Sequence, residues 1–146
     1  MRPKPPPKAL RDIWDQVPSM NCKGDCSRYC GAIPCSSLER TQIEARAGKP
    51  FKTDGSLTCS MLKGTRCSVY SVRPFICRVW GTTKALACPH GCEPERWLSE
   101  EEFTSLATQI RELSDETAEE MFDAMFTSMT PQERIAWQAQ AERRAA

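Results

Sequence analysis

The sequence is short of most features that give a function away. It has a single histidine, His90, among 146 residues. A cysteine nucleophile activated by a histidine and an orienting carboxylate therefore has only one candidate base, which disfavours that chemistry. No apolar run approaches the roughly 20 residues needed to cross a bilayer. The N-terminal MRPKPPPKALRDIW is basic but lacks the apolar core and small-residue cleavage site of a secretory signal, so a cytosolic protein is expected. The formal net charge of +1 offers no global attraction for nucleic acid or an anionic membrane. No Gly-rich phosphate loop, dinucleotide fingerprint or recognisable methyl-donor site is visible, and no internal repeat.

What the chain has is cysteine: nine residues, all between Cys22 and Cys92. In a reducing compartment stable disulfides are rare, and a dense cysteine pattern points to metal binding or redox chemistry. The odd count rules out complete internal pairing. Metal ligation is the leading reading; disulfides and buried reduced thiols are the alternatives.

Composition changes near Ser99. Residues 1–98 carry sixteen Lys/Arg against eight Asp/Glu, and residues 99–146 carry four against eleven, so +8 and −7 sum to the overall +1. All seven glycines precede Ser99. The chain is read as one domain in three parts: a Pro-rich arm and short helix (1–20), a cysteine-cluster module (21–98) and an acidic helical segment packed on it (99–146). The fold expected is a helix-rich small α+β one, a loop-rich metal-binding module with a short hairpin followed by about three C-terminal helices.

Local signals place the elements. A short helix is expected over Leu10–Val17. Ser36-Ser37-Leu38-Glu39 reads as a capping box opening a helix that ends at Gly48. LTCSML and RCSVYSV, separated by Lys63-Gly64-Thr65, read as a hairpin. Pro74 is expected to start a helical turn over Phe75–Trp80. Ser99 with Glu102 forms a second capping box. Ser114 is expected to cap the next helix, whose Ala118, Met121, Phe122, Met125, Phe126 and Met129 form an apolar stripe read as core. Thr130-Pro131-Gln132-Glu133 opens the last helix.

The cysteines fall into three groups: Cys22, Cys26, Cys30 and Cys35; then Cys59, Cys67 and Cys77; then Cys88 and Cys92 in CPHGC. No C-x2-C pair exists, which excludes a standard zinc ribbon and a thioredoxin-like motif. The C-x3-C spacing brings two sulfurs together on one helix face or in a curled loop, and Gly24, Gly31 and Gly91 favour the loop. Four thiolates leave a net charge near −2 around Zn²⁺, so a site needs cations, amides or helix N-termini beside it. Arg73 and Arg78 flank Cys77 and would supply charge; Tyr70, Phe75 and Trp80 would shield the site. His90 is expected to donate a hydrogen bond in its turn rather than to ligate.

The leading C-x3-C-x3-C-G, the following Glu-containing helix and C-x7-C-x2-Y-x2-R-P-x2-C-R together resemble the YkgJ-like cysteine-cluster family of small bacterial proteins. Members are described as zinc- or iron-chelating domains and often as Fe–S oxidoreductases without an assigned substrate. A related cluster occurs in a bacterial flagellin lysine methylase, where iron–sulfur binding is implied. The resemblance covers about Asn21 to Trp97 and points to Cys22, Cys26, Cys30, Cys67 and Cys77. Cys59 matches a family cysteine usually followed by proline, where this chain has Ser60. The usual doubled cysteine is also missing, since Tyr29 precedes Cys30. Cys35 is the weakest candidate.

The resulting expectation is an iron–sulfur protein, with a [4Fe–4S] cluster, serving electron transfer or stabilising a partner; structural Zn²⁺ in an interaction module is the alternative. The candidate ligands are Cys22, Cys26, Cys30, Cys59, Cys67, Cys77, Cys88 and Cys92, as one site or two. Arg73, Arg78 and Tyr70 would surround them. The partner expected is another protein, with neither nucleic acid nor membrane.

Overall fold

A computed structural model describes residues 2–20, 22 and 27–145. Among these residues, six α-helices and one two-stranded antiparallel hairpin make a helix-rich small α+β fold. In chain order these are α1 (Lys8–Trp14), α2 (Ser37–Ala47), β1 (Leu62–Lys63), β2 (Arg66–Cys67), α3 (Phe75–Val79), α4 (Glu100–Ser114), α5 (Ala118–Thr127) and α6 (Pro131–Ala145). Among the described residues no helix is long and apolar enough to cross a membrane.

Helix boundaries follow their caps. Ser36 accepts a hydrogen bond from the Glu39 N–H at the start of α2, and Gly48 ends it in the left-handed region at φ 70°. Ser99 and Glu102 exchange the two bonds of a capping box. Two boundaries differ from expectation. The first helix begins at Lys8, behind Pro7, and stops at Trp14. The cap of α5 is Thr117, boxed with Glu120, rather than Ser114, which is the last residue of α4. Asp115 in the left-handed conformation, φ 53°, turns the chain at that point and gives the next helix a fresh start. The hairpin is also shorter than its sequence signal, pairing Leu62 with Cys67 and Lys63 with Arg66.

The core joins both compositional halves. Leu10, Ile13 and Trp14 of α1, Ile43 of α2, Phe75 and Val79 of α3, and Leu106 and Ile110 of α4 form one buried cluster with Phe51, Met61, Val69 and Val72. Phe75 and Phe103 pack with ring centroids 5.6 Å apart. Burial of this apolar surface, at about 25 cal/mol per Å², is the main source of stability. The α5–α6 stripe divides: Met125 and Met129 are buried, whereas Phe122 is 40% exposed. Ile135 on α6 is 71% exposed.

Two buried glutamates tie distant segments together. Glu39, 1% exposed, accepts from the Trp14 indole at 2.8 Å, the Phe75 N–H at 2.6 Å and the Ser36 hydroxyl at 2.9 Å. It thereby joins α1, α2 and α3. Glu133 caps α6 through Thr130 and with its other oxygen accepts from the Gly55 and Leu57 N–H groups at 3.1 and 2.9 Å. These bonds support Leu57 at φ 69°, a conformation costly for a branched residue.

Gly81 shows how closely the loops pack. It sits at φ 83°, and a Cβ there would collide with Met20 Sδ while touching the Cys88 Cβ. Gly81→Ala is expected to destabilise the chain by about 2 kcal/mol, read as a lowered thermal midpoint; an unchanged midpoint would mean this loop does not unfold with the core.

Candidate metal centre

The structure brings cysteines of the first and second groups together through backbone pairing. Gly31 and Thr58 form an antiparallel bridge, and the Cys59 N–H donates to the Cys30 carbonyl at 3.1 Å. The approach requires glycine: a Cβ on Gly31 would lie 2.9 Å from the Leu57 carbonyl oxygen. Cys59 then leads into the hairpin, where Cys67 stands opposite Leu62. Cys77 comes from α3, started by Pro74. Four separate loop and helix segments thus deliver Cys30, Cys59, Cys67 and Cys77 to one neighbourhood.

Electrostatics registers the convergence. The Cys77 thiol is pushed far above the ordinary thiol range, first by the crowding of protein around its sulfur and then by Cys59, Cys67 and Cys30. The residue as a whole nonetheless keeps exposed surface. Its sulfur thus sits among the other thiols on a residue that reaches the surface. Cys59 is also raised, by burial, although the Met61 and Leu62 N–H groups point at its sulfur and favour the thiolate. N–H···S contacts of this kind would hold the charge of a metal-bound thiolate without a cation.

The two arginines act at a distance. Arg78 lies 4.0 Å over the Trp14 ring and donates to the Arg73 and Ser71 carbonyls at 2.8 and 3.0 Å. Burial and the neighbouring Arg73 pull its pKa down to about 10, so it stays cationic at neutral pH within electrostatic reach of Cys77. Arg73 stacks on Tyr70 at 3.9 Å and donates to the Tyr70 carbonyl. Tyr70 is 60% exposed and so does not cover the thiols. Trp80 is half-buried against Tyr29, centroids 5.6 Å apart. Phe75 belongs to the core.

Cys35 is fully buried, its thiol donating to the Ser36 carbonyl at 3.4 Å. Burial pushes this thiol well up, and Glu39 adds to the shift. Met20 bridges Pro94, and the Glu95 N–H donates to the Ser19 carbonyl at 2.9 Å, so Cys22 follows a segment anchored beside Cys92. Cys26 lies outside the described residues. In CPHGC the His90 backbone N–H donates to Cys88 Sγ at 3.4 Å. The imidazole Nε2 is buried without a hydrogen-bond partner.

Among the described residues, no three histidine, cysteine or carboxylate side chains are drawn tightly enough to hold a metal ion as they stand. Protonated thiols have no reason to converge on a point; ligands lose protons and close as metal binds. A cleft of about 530 Å³, lined by Asp15, Gln16, Glu95, Arg96, Glu101 and Glu102 among others, contains no thiol and offers no chemistry to the cysteines. No protein-family model, curated protein or solved structure matches the chain.

The sequence missed Glu39 as a bridge between helices, although its place at the third position of a capping box was a signal.

Proposed function

We propose that this protein binds an iron–sulfur cluster of the [4Fe–4S] type through Cys30, Cys59, Cys67 and Cys77, and serves electron transfer or the stabilisation of a partner protein in the cytoplasm. The observation that carries the reading is the backbone pairing that sets Cys59 beside Cys30, with Cys67 and Cys77 brought near them from the hairpin and α3. The donor set fits the group: four soft sulfurs, amide donors to Cys59 and a cationic Arg78 nearby. The resemblance of C-x7-C-x2-Y-x2-R-P-x2-C-R to the YkgJ-like family supports the same assignment. When bound, such a cluster supplies one-electron transfer at a potential set by its surroundings.

The chain's own residues would do the rest. The Met61 and Leu62 amides stabilise the Cys59 thiolate, and Gly31 allows the two cysteine loops to touch. Exposed Cys77 leaves one edge open, as exchange with a protein partner requires.

Anaerobic purification followed by iron, acid-labile sulfide and zinc analysis tests this. About four irons and four sulfides per chain are expected, with a brown colour. A colourless chain with stoichiometric zinc and no sulfide would replace the iron–sulfur reading with a structural zinc module.

A further inference from the structure

We propose that two copies of this chain associate about a two-fold axis, the arginine-lined face around Tyr70 of each copy docking on the acidic face of α5 in the other. The contact uses no thiol and stands apart from the metal assignment.

The basic face is a turn that gathers guanidinium groups. Arg46, in the last turn of α2, donates to the Ser71 hydroxyl at 3.2 Å. Arg78 donates to the Ser71 carbonyl at 3.0 Å, and Arg73 lies 3.9 Å over the Tyr70 ring. Tyr70 itself is 60% exposed. Three arginines are thus held on one short turn by neutral partners. Tyrosine and arginine are among the residues that most often carry the binding energy of protein interfaces.

The acidic face lies on α5. Glu119, Phe122 and Asp123 are exposed there and stand three and four residues apart, so they share one side of the helix. Phe122 is therefore an exposed apolar ring between two carboxylates. Leu113, at the end of α4, is exposed to the same extent, 40%. Among the described residues the ion pairs are Lys8–Asp12 and Arg96–Glu102, so neither set of charges is paired within its own chain.

Helix α2 keeps the two faces apart. Glu116, just before α5, accepts from the Ser37 N–H at the start of α2, whereas Arg46 holds the Tyr70 turn at its end. From Ser37 to Arg46, at about 1.5 Å per residue, is roughly 14 Å. That exceeds the screening length of about 10 Å at 0.1 M salt, so the charges at the two ends do not satisfy each other in one copy. Two copies laid antiparallel along α2 bring each basic end to the other's acidic end. The same contact is then made twice and the assembly closes, as in symmetric dimers. A parallel arrangement would set like charges together, so charge fixes the orientation while Tyr70 and Phe122 supply the surface to be covered.

Sedimentation equilibrium of the full chain in reducing buffer, where no disulfide can link copies, tests this. A dimer is expected at about 0.05 M salt, weakened about tenfold or more at about 0.5 M as the screening length shortens. Arg46→Glu/Arg73→Glu should be monomeric, and so should Glu119→Lys/Asp123→Lys. Mixed in equal amounts, the two variants should form a 1:1 dimer, since each reversed face then meets its opposite. A wild-type chain that stays monomeric at low salt overturns the proposal, as does a dimer indifferent to salt or to both variants. Natively folded variants that do not re-form the dimer on mixing overturn the pairing of these two faces. Hexaglutamate added to the wild type covers the other occupant: a monomer that binds it assigns the basic face to a foreign acidic protein, and the second copy is ruled out. The wild-type salt series needs no variant, so it decides even where a variant fails to fold.

Discussion

Serine in place of Cys77 is expected to strip the chain of most of its metal and to lower its unfolding midpoint by about 10 °C or more. The same is expected of Cys67→Ser. A serine hydroxyl is too hard and too weakly acidic to replace a thiolate toward iron or zinc, so each change leaves three good ligands. Apparent binding free energies of structural thiolate sites run to about 10–16 kcal/mol at neutral pH, and that energy is folding energy where the apo chain has no closed site. Losing even a few kcal/mol of it exceeds most single-residue effects in a domain of this size. Cys35→Ser is the internal control: its thiol is spent on the Ser36 carbonyl, a bond a hydroxyl can also make. Metal content measured after anaerobic purification, beside thermal unfolding, reads both consequences. Full loading in Cys77→Ser, or equal loss in Cys35→Ser, would remove Cys77 from the ligand set.

Protons make the same point independently. Burial and three neighbouring thiols hold the Cys77 thiol far above its ordinary range, so in the metal-free chain it is protonated at neutral pH. Binding must release that proton. Apparent metal affinity should therefore rise with pH and fall on acidification, more steeply than for a site of already ionised ligands.

Why the sequence reveals some of this and hides the rest follows from distance along the chain. Capping boxes are local, and Ser36–Glu39, Ser99–Glu102 and Thr130–Glu133 are readable directly, since donor and acceptor lie three residues apart. The same rule applied one turn too early selects Ser114 and overlooks Thr117, because a left-handed Asp115 has no unique sequence signature. Pairing of Cys30 with Cys59 depends on the Gly31–Thr58 bridge between segments 27 residues apart, which spacing within a C-x3-C run cannot express. Sequence grouping therefore sets Cys30 only with its C-x3-C neighbours and misses the loop that pairs with it from Cys59. Tyr70 illustrates a different limit. Its position near Cys67 and Arg73 reads as a shield, but the 3₁₀ turn at Tyr70–Val72 turns its ring outward under the Arg73 guanidinium.

The other large effect belongs to Glu39. Glu39→Ala is expected to cost about 3–5 kcal/mol, enough to unfold a marginal domain. The side chain is buried and accepts from an indole, a backbone amide and a hydroxyl on three different segments. Alanine leaves the Trp14 and Phe75 N–H groups unpaired in the core and opens a cavity between α1 and α3. Glu39→Gln retains a carbonyl oxygen for both donors and should cost far less. The pair also separates shape from charge. Burial raises the Glu39 carboxyl above its ordinary value, against the lowering effect of its hydrogen bonds. The folded state therefore holds this proton more tightly than the unfolded chain does. Protonation contributes stability that is present below the unfolded carboxyl pKa and is lost as pH rises through the folded one. Urea unfolding across that window should show wild-type stability falling with rising pH, with a shallower fall in Glu39→Gln. Equal slopes in the two proteins would show that Glu39 keeps its charge at no net cost, its three donors compensating fully for its burial.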